Sequence, residues 1–257
     1  MKFRFFIAVS IIPLFFECAA AQDSLSSINR YPSGLSFQYG VGGYGLRDNF
    51  ISNEKYSGIM PYFSLRWSRA HKKYIYKLEG DLMHSKKIKN HNISTEITLA
   101  RISHGFLYPL RNKKSLTKDF NLWLGPTTII LIYTNLPKIA VAGFNYSQSS
   151  AGLFSLGLHM EGNYKISRKL QLESSVGLSV LSLGFHNIDN DISNESMVKP
   201  LLFTSALDLP FSLGARYYLL KKLSVQFDYK FEFARITAWE DLLSAGDYVV
   251  AGLTYNF

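Results

Sequence analysis

Ionisable residues in this chain recur two positions apart. Lys77, Glu79 and Asp81 do so, and so do Asp228, Lys230 and Glu232. In a β-strand, residues at i, i+2 and i+4 project from one face, so each triplet sets three charges in a row. Mixed signs at that spacing suit either mutual pairing in a confined polar interior or a lining that a small polar solute could follow. Arg66, Glu161, Glu173 and Arg216 stand at comparable positions in other alternating runs. For catalysis the candidates are fewer. His84 and Ser85 are sequential neighbours, which on a strand point to opposite faces. His186, Asp189 and Asp191 lie together in "FHNIDNDISNESM". There is no Gly-x-Ser-x-Gly, no Gly-rich phosphate loop and no pair of histidines at zinc-ligand spacing. No catalytic set, metal or cofactor is therefore expected.

The elements that carry these charges are strands. "LSVQFDYKFEFARI" alternates Leu223, Val225, Phe227, Tyr229, Phe231 and Phe233 with Ser224, Gln226, Asp228, Lys230, Glu232 and Ala234. Leu35 to Val41, Ile59 to Trp67, Tyr74 to Leu82, Leu122 to Ile132, Phe154 to Tyr164, Leu170 to Val180, Leu209 to Leu219 and Val249 to Phe257 repeat the pattern. Ile97 and Leu99 mark one more strand, whose phase slips near Ala100 in the manner of a bulge. Aromatics make up 15% of the 257 residues, with 16 Tyr and 19 Phe, as suits a pleated surface.

The connections alternate in length. Short basic links are expected at 69–73, 109–114, 165–169 and 220–222. Long polar loops are expected at 47–56, 85–92, 135–150, 185–199 and 237–245. This cadence is that of an up-and-down antiparallel meander. The net charge of +9 concentrates in the short links, at Arg69, Lys72, Lys73, Arg111, Lys113, Lys114, Lys165, Arg168, Lys169, Lys221 and Lys222. Cations spread over four turns, with no recognition helix, do not suit nucleic acid. They suit the phosphates of membrane lipids or the simple solubility of turns.

Residues 1–21 read as an export leader. Lys2 and Arg4 precede the apolar run Phe5–Phe16, and Ala19, Ala20 and Ala21 supply a cleavage site before Gln22. The apolar run rises about 18 Å as a helix, too little to span a bilayer. Cys18, the single cysteine, lies within this leader. Alternating strands arise in soluble barrels with the apolar face inward, or in membrane barrels with it outward. Export, strand lengths near the 9–11 residues that cross a bilayer, and the closing strand favour the second.

That closing strand places Val249, Ala251, Leu253 and Tyr255 two apart before a terminal Phe257. It resembles the C-terminal insertion signal of Gram-negative outer-membrane β-barrel proteins. The resemblance implies recognition by the barrel-assembly machinery and residence in the outer membrane among its lipids. The expected fold is all-β: a closed up-and-down antiparallel transmembrane barrel of about ten strands (8–12) over residues 35–257, after a short periplasmic segment at 22–34. Apolar faces then meet lipid, and Arg66, Lys77, Glu79, Asp81, Glu161, Glu173, Arg216, Asp228, Lys230 and Glu232 share a narrow lumen as paired charges. The expected function is that of a non-enzymatic envelope or surface protein whose loops make contacts or whose barrel supports the membrane. Two alternatives stand beside it: a narrow pore for small polar solutes, and a rim-active hydrolase. Ten-stranded barrels include the omptin proteases, but His84, His186, Asp189 and Asp191 cannot be matched to that family's motif residue by residue.

Overall fold

A computed structural model describes residues 33–49, 52–71, 73–90, 94–110, 120–138, 148–190, 193–238 and 241–257. The leader at 1–21, its cleavage point and most of the segment 22–34 lie outside the described residues. The strands are β1 (Gly34–Asp48), β2 (Ser52–Ala70), β3 (Ile75–Lys89), β4 (Ser94–Pro109), β5 (Phe120–Lys138), β6 (Gln148–Lys165), β7 (Leu170–Asn190), β8 (Ser193–Leu202), β9 (Ala206–Leu220), β10 (Leu223–Ile236) and β11 (Leu242–Asn256). Each pairs antiparallel with its neighbours, and β1 pairs with β11 from Gly34↔Asn256 to Asp48↔Leu242. The sheet therefore closes on itself, which leaves no sheet edge at the seam.

The wall is ten strands around. β8 and β9 share one place in it: β8 pairs with the outer half of β7 and β9 with the inner half. A turn at 203–205 interrupts them, held by Phe203 N–H to the Val180 carbonyl at 3.1 Å and Ser205 N–H to the Leu202 carbonyl at 2.8 Å. Opposite this break the β6–β7 register shifts by one residue, and Val180 and Leu181 both face outward.

Outward positions carry an apolar belt. Leu35, Phe37, Tyr39 and Val41 of β1, Leu156 and Leu158 of β6, Phe227 of β10 and Val249, Leu253 and Tyr255 of β11 are all exposed. At one end the belt ends in aromatic contacts: Trp67 with Tyr76, Tyr74 with Phe106 and Tyr108, and Tyr255 with Phe257. An exposed apolar band edged by aromatic rings is the outside of a membrane barrel.

Two expectations about the elements need correction. The slip near Ala100 is not there: β4 keeps one register with β3 from Ile75↔Leu107 to Ser85↔Ile97, and the bulge lies on β3 between Ser85 and Ile88. Ile97 and Leu99 face inward and Ile102 outward, so the apolar residues change face without the backbone slipping. The long loops are also shorter than expected. Pairing continues through Arg47↔Lys55, Lys89↔Ser94, Thr95↔Pro137 and Asp189↔Asn194. Ladder hydrogen bonds require neither apolar side chains nor lipid, so polar sequence continues as strand beyond the belt.

Candidate functional site

The inward faces of the strands build a filled lumen in layers. In the inner and middle part lie the ten charged residues singled out above. Arg66, Lys77, Glu79, Asp81, Glu161, Arg216, Asp228, Lys230 and Glu232 are buried, and Glu173 is nearly so. Pleating alone puts them there: β2 contributes Arg66, β3 the triplet Lys77–Glu79–Asp81, β6 Glu161, β7 Glu173, β9 Arg216 and β10 the triplet Asp228–Lys230–Glu232.

They form three connected groups. In the first, Glu79 accepts from Arg66 Nη2 at 3.0 Å and Lys230 Nζ at 3.0 Å, and it lies 3.3 Å from Lys77 Nζ. Lys77 also pairs with Glu161, to which His159 Nε2 lies 3.0 Å away. In the second, Arg216 Nη2 donates to Glu173 at 3.0 Å and to Gln226 Oε1 at 3.2 Å. Gln226 Nε2 reaches Glu173 at 3.1 Å and Asp228 at 3.0 Å, and Gln38 Nε2 donates to Asp228 at 2.6 Å. In the third, Arg101 grips Asp208 with two donors, Nη2 at 2.6 Å and Nε at 3.3 Å, and pairs with Glu232. Lys230 joins the first group to the aromatic roof above: its Nζ donates to Tyr62 OH at 2.9 Å and lies 4.7 Å from that ring's centre. A side chain at Gly214 would collide with the Asp228 carboxylate, so glycine there leaves the carboxylate its place.

Above this layer the lumen is apolar. Tyr44, Leu46, Tyr56, Met60, Tyr62, Met83, Ile88, Ile97, Leu99, Leu131, Tyr133, Ala151, Leu153, Tyr248 and Val250 pack as one buried cluster. It is capped by Asp48, which accepts from Tyr133 OH and Asn135 Nδ2, each at 3.1 Å. A smaller apolar group, Ile75, Leu107 and Trp123, sits at the opposite end. Between the plug and the ionic layer a cavity of about 40 Å³ is bounded by Tyr62, Asp81, Arg101, Lys230 and Glu232 among others. A second, of about 10 Å³, lies near Glu173 and Asp228. The larger has room for ordered water and not for an organic solute.

Sequence reasoning missed Arg101, Asp208, His159, Gln38 and the whole apolar plug. Arg101 follows Ile97 and Leu99 at the same spacing, and Asp208 alternates with Leu209 and Phe211; both signals were present, but Ile97 and Leu99 looked outward-facing. Among the described residues, the catalytic candidates His84, Ser85 and His186 do not converge. His84 is on the outside of the wall, its Nδ1 2.9 Å from Thr98 Oγ1. Ser85 points inward and donates to the Ile59 carbonyl at 2.9 Å. His186 faces the lumen at the loop end, its Nε2 3.3 Å from Ser149 Oγ. The side chain of Asp189 and all of Asp191 lie outside the described residues. Val249, Ala251, Leu253, Tyr255 and Phe257 all face outward. Among the described residues, no three His, Cys, Asp or Glu side chains are grouped to hold a metal ion.

No family model matches this chain, and no curated protein matches its sequence. Solved structures do match its fold. The outer membrane protease OmpT from Escherichia coli aligns over 91% of this chain and 100% of its own, with a TM-score of 0.53 and 9% identity. The translocator domain of the autotransporter NalP from Neisseria meningitidis aligns over 98% and 95%, with a TM-score of 0.51 and 8% identity. With its closed wall and outward belt, the chain has the fold of the outer-membrane β-barrels. At these identities the likeness carries the architecture and no activity.

Proposed function

We propose that this protein is a closed, non-enzymatic barrel of the outer membrane, which supports the envelope and presents its loop end to the outside. The single observation that carries this reading is the filled lumen. Paired charges occupy the inner part, an apolar plug occupies the outer part, and a void of only about 40 Å³ lies near their boundary. A hydrated ion meets no continuous polar route through such an interior, because the plug offers only scattered tyrosine hydroxyls in place of its water. In this reading the leader at 1–21 is removed before Gln22, and the strand ending in Phe257 is the segment that the barrel-assembly machinery engages. The basic turns, with Arg69, Lys73, Lys165, Arg168, Lys169, Lys221 and Lys222, meet the phosphates of the inner leaflet. The test is conductance in planar bilayers. The purified barrel is expected to insert and stay silent; resolved single-channel steps would restore the narrow-pore reading and remove this one.

A second reading, a hydrolase at the outer rim, is favoured by the Ser149–His186 contact alone. In it His186 accepts the Ser149 proton as the hydroxyl attacks an ester or amide carbonyl. A fluorophosphonate probe decides it. Labelling that disappears in Ser149→Ala and in His186→Ala supports the hydrolase, and an unlabelled native barrel removes it.

A further inference from the structure

Four adjacent strands, β2, β1, β11 and β10, present a patterned outer face where the apolar belt ends. Register aligns their outward residues in rows. The uppermost row reads Lys55, Arg47, Leu243, Arg235. The next reads Ser57, Gly45, Ala245, Phe233, and the third Ile59, Gly43, Asp247, Phe231. Below these the belt proper begins with Pro61, Val41, Val249 and Tyr229.

The cation row is unusual in two ways. Arg47 and Lys55 are directly opposed across the β1–β2 pair, an arrangement of like charges that destabilises a sheet unless something neutralises it. Arg47 has one exposed partner, Asp241 at 3.2 Å. Lys55 and Arg235 have no ion-pair partner among the described residues. The row spans three inter-strand steps of about 4.8 Å, roughly 14 Å from Lys55 to Arg235. Beneath it, the small residues Gly45 and Ala245 leave a shallow strip of wall between Phe233 and Ser57. The stem of Lys55 leans over this strip, its Cε 3.4 Å from where a Gly45 side chain would begin.

We propose that this face binds an anionic lipid of the leaflet at the loop end, its phosphate on Arg47, Lys55 and Arg235 and one acyl chain along the Gly45–Ala245 strip. The inference rests on the membrane placement given above. Charge complementarity identifies the occupant: the cations stand above the belt, at the level of lipid phosphates, and the strip continues down β1 through Gly43 to Val41 in the belt, where it receives a hydrocarbon chain. The basic turns differ in kind, because their charges are scattered over the opposite rim. Asp247, two rows below the cations, meets the hydroxyl or amide groups at the junction of head and chain.

The test uses the full barrel purified in neutral detergent, with dioleoyl phosphatidic acid as probe, phosphatidylcholine as reference, and native mass spectrometry as the readout of retained lipid. The variant Arg47→Gln/Lys55→Gln/Arg235→Gln is compared with Lys169→Gln/Lys221→Gln/Lys222→Gln, which removes the same charge from the turns. The outer variant is expected to lose at least tenfold in phosphatidic acid affinity and the turn variant less than twofold. Equal losses in the two, or none in the outer one, overturn the proposal. Ala245→Phe fills the strip without changing charge. Weaker retention in it supports the groove, and unchanged retention overturns that part. Heat-dependent gel migration and insertion into lipid nanodiscs report separately whether each variant is still a membrane barrel. Loss of lipid selectivity in an inserted barrel therefore refutes this site, whereas failure of the native chain to insert refutes the membrane placement.

Discussion

In the outer half of the lumen, Tyr56, Met60, Tyr62, Met83, Leu131, Leu153 and Tyr248 fill the barrel with carbon. In the inner half, inward positions carry Arg66, Glu79, Arg101, Asp208, Arg216, Asp228 and Lys230 instead. Both halves exclude bulk water, and the physics that holds them differs. The outer half gains from burial of apolar area, which is non-directional and tolerates a change of shape. The inner half depends on specific partners. An ion confined there is stable only while its counter-ion and hydrogen bonds are in place. Carboxylates also outnumber cations in it: Glu79, Asp81, Glu161, Glu173, Asp208, Asp228 and Glu232 stand against Arg66, Lys77, Arg101, Arg216 and Lys230. The ionic half is thus the more brittle, and in the closed barrel proposed above the apolar half is the seal.

The sharpest way to break that comparison is to remove one hub from each half. Arg101 holds two buried carboxylates, Asp208 and Glu232. Arg101→Met leaves both without their main cation and is expected to destabilise the barrel by about 3–5 kcal/mol. Urea unfolding in detergent micelles, followed by tryptophan fluorescence, measures it. Adding Asp208→Leu and Glu232→Leu should recover part of the loss, because an apolar set needs no counter-ion. Failure of the triple change to exceed Arg101→Met would mean that packing, not charge pairing, governs the inner half.

In the outer half, Leu131→Ala is expected to cost roughly 2–5 kcal/mol through lost burial and the cavity left behind. Its functional consequence should differ from that of Arg101→Met. Truncating Tyr62 and Tyr248, whose rings pack 4.9 Å apart, to alanine opens the seal directly above the cavity. Ion conductance should appear in planar bilayers for this double variant and not for Arg101→Met. Conductance in the second and silence in the first would exchange the roles assigned to the two halves.

The comparison also explains what could be read from the sequence. Strands from Phe154 to Tyr164 and from Leu223 to Phe233 were legible because each has one apolar and one polar face over the full width of the membrane. Ten charged residues could be placed together because the barrel wall sorts i and i+2 to one side. The plug was hidden for the same reason. Where an apolar interior replaces a polar one, both faces of a strand are greasy and period two disappears. β4 passes from inward Ile97 and Leu99 to outward Ile102 and Phe106, which imitates a bulge. Arg101 fell in that blind stretch, and Asp208 fell next to the break between β8 and β9. Convergence across strands, such as Gln38 with Asp228 or Ser149 with His186, depends on register and barrel closure, which no local pattern encodes.

Smaller changes sharpen the contrast. Gln38 bridges β1 to the inner network by its 2.6 Å bond to Asp228. Gln38→Leu withdraws one donor from a buried carboxylate and is expected to cost about 1.5–3 kcal/mol, in line with hydrogen bonds to charged groups. The same urea titration checks it. Thr254→Val is the mildest case. Thr254 Oγ1 lies 3.0 Å from Ser36 Oγ across the β1–β11 seam, and both residues are buried. The change keeps the shape and removes one neutral hydrogen bond, with an expected loss of about 1 kcal/mol. If Gln38→Leu were no worse than Thr254→Val, the charge on Asp228 would add nothing to its bond with Gln38. The inner half would then be polar packing, no more sensitive to its partners than the plug above it.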